Sequence, residues 1–385
     1  MLNSRSNGEN MNLCTKVENK FLIFFIILLL GALSGCIEEK SENNITTPAP
    51  ATSLATPDRT AVIQDTPQPL LQKGTSDPDI IVDIYDPEKV WTGTTLFADL
   101  HKRDRPRIIE VNMQGEIVWE YRIPENLKQY TNPGFDTERL PNNNILFVLP
   151  RNGVYEVDRN GTLVWSYLDS NVSHDADRLS NGNTIMVWGG GDKPDEPQVK
   201  EVNPKGEIVW TWYAKDHFYT APYKDIFDEG WTHTNAVTRL PNGNTLISLR
   251  NFDFVAEVDQ QGSVVNTYGK GIFVDQHDPE IQSNGNILAT SFNPPMVVEI
   301  DTKKNEIIWK HSIPRFPQPG KDIWPVRDVD RLPNGNSLIT GSTKLVEVTK
   351  DGETVWQLSL QNIKFSTPEE SITLGFYKAE RNNPQ

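Results

Sequence analysis

A repeat of about 45 residues most constrains what this chain can fold into. Two markers alternate along it. One is a turn: RLPNNN from Arg139, RLSNGN from Arg178, RLPNGN from Arg239, IQSNGN from Ile281 and RLPNGN from Arg331. The other ends a hairpin: QGEIVWEY from Gln114, NGTLVWSY from Asn160, KGEIVWTW from Lys205, QGSVVNTY from Gln261, KNEIIWKH from Lys304 and DGETVWQL from Asp351. Trp119, Trp165, Trp210, Asn266, Trp309 and Trp356 hold matching positions, at spacings of 46, 45, 56, 43 and 47 residues. Within one copy the apolar runs HDADRL (His174–Leu179), NTIMVW (Asn183–Trp188), VKEVN (Val199–Asn203) and EIVWTWY (Glu207–Tyr213) are short. Asn-Gly turns, a strong local signal for a β-hairpin, punctuate them. Four antiparallel strands per repeat make one blade, so the chain reads as an all-β, six-bladed β-propeller. The hairpin marker occurs six times and the turn marker five, the missing turn belonging to the first copy. The C-terminal SITLGFYKAER (Ser371–Arg381) is expected to supply the strand that closes the ring; a seventh blade is the alternative.

The repeat turns a sequence position into a ring. In a propeller the first strand of each blade lines the central channel, and its opening residue sits at one rim. Counting eight residues back from the turn position gives Phe135, His174, Asn235, His277 and Arg327. His233 lies two residues before Asn235, which places both on one face if the strand alternation holds there. Three of only six histidines in 385 residues are therefore expected at one mouth, with Arg327. Arg250 ends the strand that follows His233 and is expected to turn back to the same centre. Histidines 101, 217 and 311 lack this context and read as incidental, and the repeated Trp reads as core. The long connections YAKDHFYTAPYKDIFDEGW (Tyr213–Trp231) and IPRFPQPGKDIWP (Ile313–Pro325) open on the same rim; their aromatics either cover a ligand or pack on one another.

Before the repeat, residues 1–36 read as an export signal. Lys16 and Lys20 precede the apolar run Phe21–Leu33, too short to span a bilayer comfortably but the size of a signal-peptide core. LSGC (Leu33–Cys36) resembles a prokaryotic lipobox, which implies cleavage before Cys36 and lipidation of its thiol; an uncleaved anchor is the alternative. Met11 is a candidate start. Residues 37–75, rich in Ser, Thr, Pro and Ala, read as a low-complexity tether, leaving 76–385 as the propeller. The expected location is outside the cytoplasm, at the outer face of the membrane or the cell surface. Sequons at Asn44, Asn160 and Asn171 matter only if the host glycosylates exported proteins.

Composition narrows the chemistry. The net charge of −15 argues against a nucleic-acid partner, which needs a basic face. The only cysteines are Cys14 and Cys36, so the propeller has neither a disulfide nor a cysteine nucleophile. Three imidazoles and one or two guanidinium groups form a cationic pocket suited to a tetrahedral oxyanion. Clustered positive charge also keeps an imidazole neutral and its nitrogen free for attack.

The order SHD (His174), WTHTN (His233), SLRNFDFVAEVD (Arg250) and QHD (His277), set among propeller strands, resembles the bacterial arylsulfotransferase family. The resemblance covers blades three to five closely and the rest as repeat pattern. It implies a six-bladed propeller that moves a sulfuryl group from an aryl sulfate donor to a phenol acceptor without a nucleotide sulfate and without a cofactor. It further implies that His277 is transiently sulfated in a ping-pong reaction, that His174 assists proton movement, and that His233 and Arg250 hold the sulfuryl oxygens. Asn235 and Arg327 are expected to contact substrate, Asn235 by orienting His233 or a water. The chain departs from the family's periplasmic enzymes in two ways: it lacks their cysteine pair, and a tether stands where they carry an N-terminal β-domain.

Other readings remain open. A non-catalytic surface propeller would bind a glycan, an anion or a protein partner, since propellers host many functions. A quinone-cofactor protein shares the docking pattern seen in VDRNGTLVW (Val157–Trp165), but such rings usually have eight blades. Zinc on the three histidines is disfavoured by the neighbouring Arg.

Overall fold

The computed structural model describes residues 74–131, 135–189, 192–313, 325–361, 363 and 374–383. The signal segment, Cys36, residues 37–73 of the tether, residues 371–373 of the C-terminal piece and residues 314–324 of the second aromatic connection lie outside them.

Six antiparallel sheets account for the repeats. Blade 1 holds Thr94–Asp99, Arg107–Val111 and Ile117–Arg122, and its innermost strand is the C-terminal Phe376–Asn382. Blades 2 to 5 are built in chain order from innermost strands Thr137–Arg139, Val172–Arg178, Thr234–Arg239 and His277–Ile281. Blade 6 begins at Val326–Arg331 and gains Ile80–Tyr85 as a fifth, outermost strand. The C-terminal piece thus supplies the closing strand, and the ring has six blades rather than seven. Blade 1 thus takes its innermost strand from the C-terminal part of the chain and blade 6 its outermost from the N-terminal part of the propeller, which joins the two blades where the ring closes.

Repeated side chains fasten each blade to the next. A glutamate on the third strand of one blade pairs with the arginine that ends the innermost strand of the following blade: Glu110–Arg139, Glu156–Arg178, Glu201–Arg239, Glu299–Arg331 and Glu347–Arg381, all at 2.7–3.1 Å. In four of these junctions the same guanidinium lies over the repeated tryptophan, as Arg178 does over Trp165 and Arg381 over Trp356. The tryptophan is therefore more than apolar filling. Trp119, Trp165, Trp309 and Trp356 also donate their indole N–H to a carbonyl in the next blade. Where blade 4 has Asn266 instead, the turn of blade 5 begins with Ile281 instead of arginine, so the tryptophan and the arginine of the clasp are absent together.

The innermost strands carry an acidic pattern with a structural reason. Strands of adjacent blades do not hydrogen-bond to each other in ladders, so their inner edges expose N–H groups that must find acceptors. Carboxylates of the neighbouring blade supply them: Asp136 to Ala176, Asp175 to Val237, Asp328 to Ala379, Glu138 to Arg178, Glu280 to Arg331 and Glu380 to Arg139. The result is an acidic channel at the centre of the ring.

In five blades the innermost strand slips register against the second strand near the mouth. The irregularities fall at residues 173–175, 235, 278–279, 327 and 377–378. A bulge re-aims the side chains around it, and these hold His174, Asn235, Arg327 and Lys378 and adjoin His277.

Candidate active site

His174, His233, His277 and Arg250 come together at one mouth of the channel. The rings of His174 and His233 have centroids 5.3 Å apart. Arg250 donates from Nη1 to Nδ1 of His233 at 2.9 Å, and its Nε lies 3.5 Å from the Asp275 carboxylate. Because the guanidinium can only donate, the Nδ1 of His233 carries a lone pair and its proton sits on Nε2.

His277 is in the opposite tautomer. Its Nδ1 lies 3.0 Å from the Asp275 carbonyl, which can only accept, so the ring proton is on Nδ1 and the Nε2 lone pair is free. Phe292 stacks on this ring, with centroids 4.5 Å apart and planes within 8°, and fixes its plane. Nδ1 of His174 meets the Ser173 hydroxyl.

All three imidazoles are held neutral. Burial, then Arg250 and His233, push His277 down to about 3 against the pull of the Asp275 carbonyl. Burial and Arg250 push His233 down to about 4. Burial lowers His174 well below the usual range, aided by His233, His277, Arg250 and Lys378.

The turn Arg250–Phe252 and Asp253 after it mount this cluster. Asn251 donates to the carbonyls of Asp228 and Gly230, and Asp253 accepts the backbone N–H of Asp275 at 3.0 Å. One turn thus ties the segment before His233 to the segment before His277. His233 itself has φ 44° and precedes its strand, so strand alternation does not put it on the face of Asn235. Asn235 instead donates from Nδ2 to the Gln276 carbonyl at 2.9 Å, beside His277, and its Oδ1 is buried with no hydrogen-bond partner among the described residues. It steadies the mount of His277 rather than orienting His233. Arg327 turns to the closing strand: it donates to the Phe376 carbonyl and lies 5.3 Å from the Tyr377 ring.

A cavity of about 510 Å³ opens on this cluster, within the range of small-molecule sites. Its wall includes Arg151, His174, Trp188, Asp192, Phe227 and His233; Arg250 adjoins it through its bond to His233, and His277 stands behind this wall rather than in it. The connection from Tyr213 to Trp231 divides its aromatics between the two expected uses. Phe218, Tyr223 and Trp231 pack with Phe252 and Phe254 beneath the loop, whereas Phe227, 76% exposed, lines the cavity. Among the described residues no group of three His, Cys, Asp or Glu is arranged to hold a metal ion.

Sequence reasoning missed three supports. Asp192 accepts the His233 backbone N–H and the Thr232 hydroxyl, and no motif marks it. Phe292 lies on the second strand of blade 5, and its stacking depends on the turn of the backbone at His277. Lys378 is recoverable, because KAER aligns with DTER, DADR and DVDR. Gly230 guards Asp192: at φ 123°, an added Cβ would fall 2.5 Å from the Asp192 carboxylate. Gly230→Ala is expected to displace the support of His233 and lower kcat/KM on the order of 10²-fold, a loss typical of an ångström-scale misplacement. Steady-state kinetics on the folded variant checks it.

Comparison with known proteins agrees with this geometry. No curated protein matches the chain. Among solved structures, a Bacteroides caccae protein of unknown function is 19% identical with a TM-score of 0.53, covering 74% of this chain and 98% of that one, which speaks for the fold alone. A catalytically inactive virginiamycin B lyase from Staphylococcus aureus, solved with quinupristin, has 10% identity and a TM-score of 0.45, over 74% of this chain and 89% of its own. The family model described as Arylsulfotransferase (ASST) matches residues 85–277, half of the chain, from the start of the propeller through His174, His233 and Arg250 to His277. With that span the chain belongs to the arylsulfotransferase family.

Proposed function

We propose that the protein transfers a sulfuryl group from an aryl sulfate to a phenol through a sulfated His277. Family membership supports aryl sulfotransferase activity on small-molecule aryl substrates in general. The observation that carries the finer reading is the tautomer of His277: its proton is committed to the Asp275 carbonyl, which leaves the lone pair on Nε2.

In the first half-reaction Nε2 attacks sulfur, the N–S bond forms and the S–O(aryl) bond breaks, its electron pair leaving on the phenolate. A phenol of pKa about 10 is a workable leaving group. As the ring gains positive character, the Nδ1–H bond to the carbonyl strengthens. Arg250 and His233, paired with each other, are assigned to hold the sulfuryl oxygens. In the second half-reaction an acceptor phenol gives its proton to His174, its oxygen attacks sulfur, and the N–S bond breaks to restore the Nε2 lone pair. The first phenolate takes a proton from water as it leaves, and His174 later returns to water the proton it accepted, which balances the exchange. Trp188 and Phe227 offer aromatic surface to the aryl groups. We also place the protein outside the cytoplasm, anchored through lipidated Cys36, on the lipobox reading alone.

The test is phenol-dependent release of chromophore from a chromogenic aryl sulfate. No release across a panel of donors and acceptors would remove the transferase reading and leave an anion-binding propeller. The same assay fixes the pH dependence. His277 and His233 protonate near 3 and 4 rather than 6.5, so the neutral forms survive acidification. The acid limb of kcat/KM is therefore expected near pH 4, with activity retained at about pH 5.5. A limb near 6.5 would show that the imidazoles are not held down.

A further inference from the structure

Beneath the histidines the channel holds, among the described residues, one lysine. The closing strand places Lys378 at the position filled by Asp136, Asp175, Asp278 and Asp328 in other blades. Its ammonium lies 2.7 Å from Asp175, 2.9 Å from Asp278 and 3.5 Å from Asp136. Asp175 directly follows His174, and Asp278 directly follows His277. One cation thus joins blade 3, which carries the proposed proton carrier, to blade 5, which carries the proposed nucleophile. Asp175 also accepts the Val237 N–H at 2.6 Å, which brings blade 4 and the segment after Asn235 into the same node.

The lysine is charged despite its burial. Desolvation alone would favour the neutral amine, but the carboxylates of Asp136, Asp175 and Asp278 outweigh it and push its pKa well above the ordinary value. Below it, Glu138, Asp177, Glu280, Asp330 and Glu380 line the same channel. Toward the mouth it faces His174, with His233, His277 and Arg250 beyond, while Tyr377 and Arg327 stand beside it on the closing strand and blade 6.

We propose that Lys378 is a positioning residue of the transfer site: its ammonium, brought in by the strand that closes the ring, locks the His174 and His277 segments to each other and supplies the positive charge beneath them. The site is then complete only when the ring is closed. This inference rests on the sulfuryl-transfer reading for its kinetic test but not for its spectroscopic one. It concerns a residue outside the span 85–277 matched by the family.

The experiment compares Lys378→Met, Lys378→Arg and the double variant Lys378→Met/Asp136→Asn. The double variant removes the carboxylate farthest from the ammonium together with the lysine, so that one carboxylate fewer is left buried without the cation than in the single variant. Expected is a fall in kcat of about 10- to 100-fold in both Met variants with KM changed less than about threefold, since misplacement acts on the reacting geometry. Lys378→Arg is expected to recover part of the loss. Loss of the cation also releases His174 from its repulsion, so the acid limb moves to higher pH. A double variant that regains full kcat with an unchanged pH profile overturns the proposal, leaving Lys378 as a counter-ion for Asp136. If the wild-type protein transfers no sulfuryl group at all, the functional reading fails, and histidine-selective NMR titration decides this one separately. Upward movement of the His174 titration in the double variant supports it, and an unmoved titration sinks it.

Discussion

Replacing His277 by alanine is expected to abolish sulfuryl transfer, by about 10³-fold or more, while the chain stays folded. On the proposed mechanism the size follows from losing a covalent nucleophile rather than a binding contact. The ring is half-buried at the start of its strand, and its main contacts are the Asp275 carbonyl and Phe292, so truncation removes one ring from a stack and no blade junction. A donor labelled with radioactive sulfur gives the sharper reading. Wild-type protein, quenched without acceptor, should retain label, and the variant should not. His174→Ala should still accept label, because the proton carrier is needed in the second half-reaction. Retention of label by His277→Ala would move the nucleophile elsewhere, and the next candidate is His174, which lines the cavity.

The second large effect concerns the closure of the ring. Arg381→Ala is expected to cost about 3–5 kcal/mol, the usual penalty for leaving a buried charge without its partner. The side chains of Arg381 and Glu347 are both 0% exposed and 3.1 Å apart. Arg381 also donates to the Thr95 hydroxyl at 2.7 Å and to the Trp91 carbonyl at 2.6 Å, and lies 4.5 Å from the Trp356 ring. One side chain thus ties the last strand to blade 1 and blade 6 together. Chemical denaturation of Arg381→Ala and of Arg331→Ala makes the comparison. Arg331 has the same partners in kind, but its junction lies between blades joined by continuous chain and retains some exposure. The Arg381 variant should lose more. Equal losses would mean that closure adds nothing beyond one blade clasp.

Both predictions depend on residues with different visibility in the sequence. The six copies of the hairpin marker yield the blade count directly, because each Asn-Gly turn and alternating run is a local signal. The matching offset from the turn picks out His174, Asn235, His277 and Arg327 as one tier, since a repeat converts equal offsets into equal heights. The alternation that pairs His233 with Asn235 fails at a residue with positive φ, where period two does not apply. Asn235 and His277 are likewise linked by a side chain crossing between blades, which no spacing along one strand reveals. The arginines of the turn marker look like punctuation in the sequence, yet each reaches a glutamate and most reach a tryptophan on the preceding blade.

By itself, the sequence determined the repeat, the closing strand and the tier of polar residues at the mouth. These follow from local hydrogen-bonding chemistry and from periodicity. Only the tertiary structure decided which nitrogen of His233 and of His277 holds its proton, that Arg250 bridges His233 and Asp275, and that Lys378 stands under two histidines far from it along the chain. Those are matters of fine distance between separate blades, where burial and charge act through space rather than along the chain.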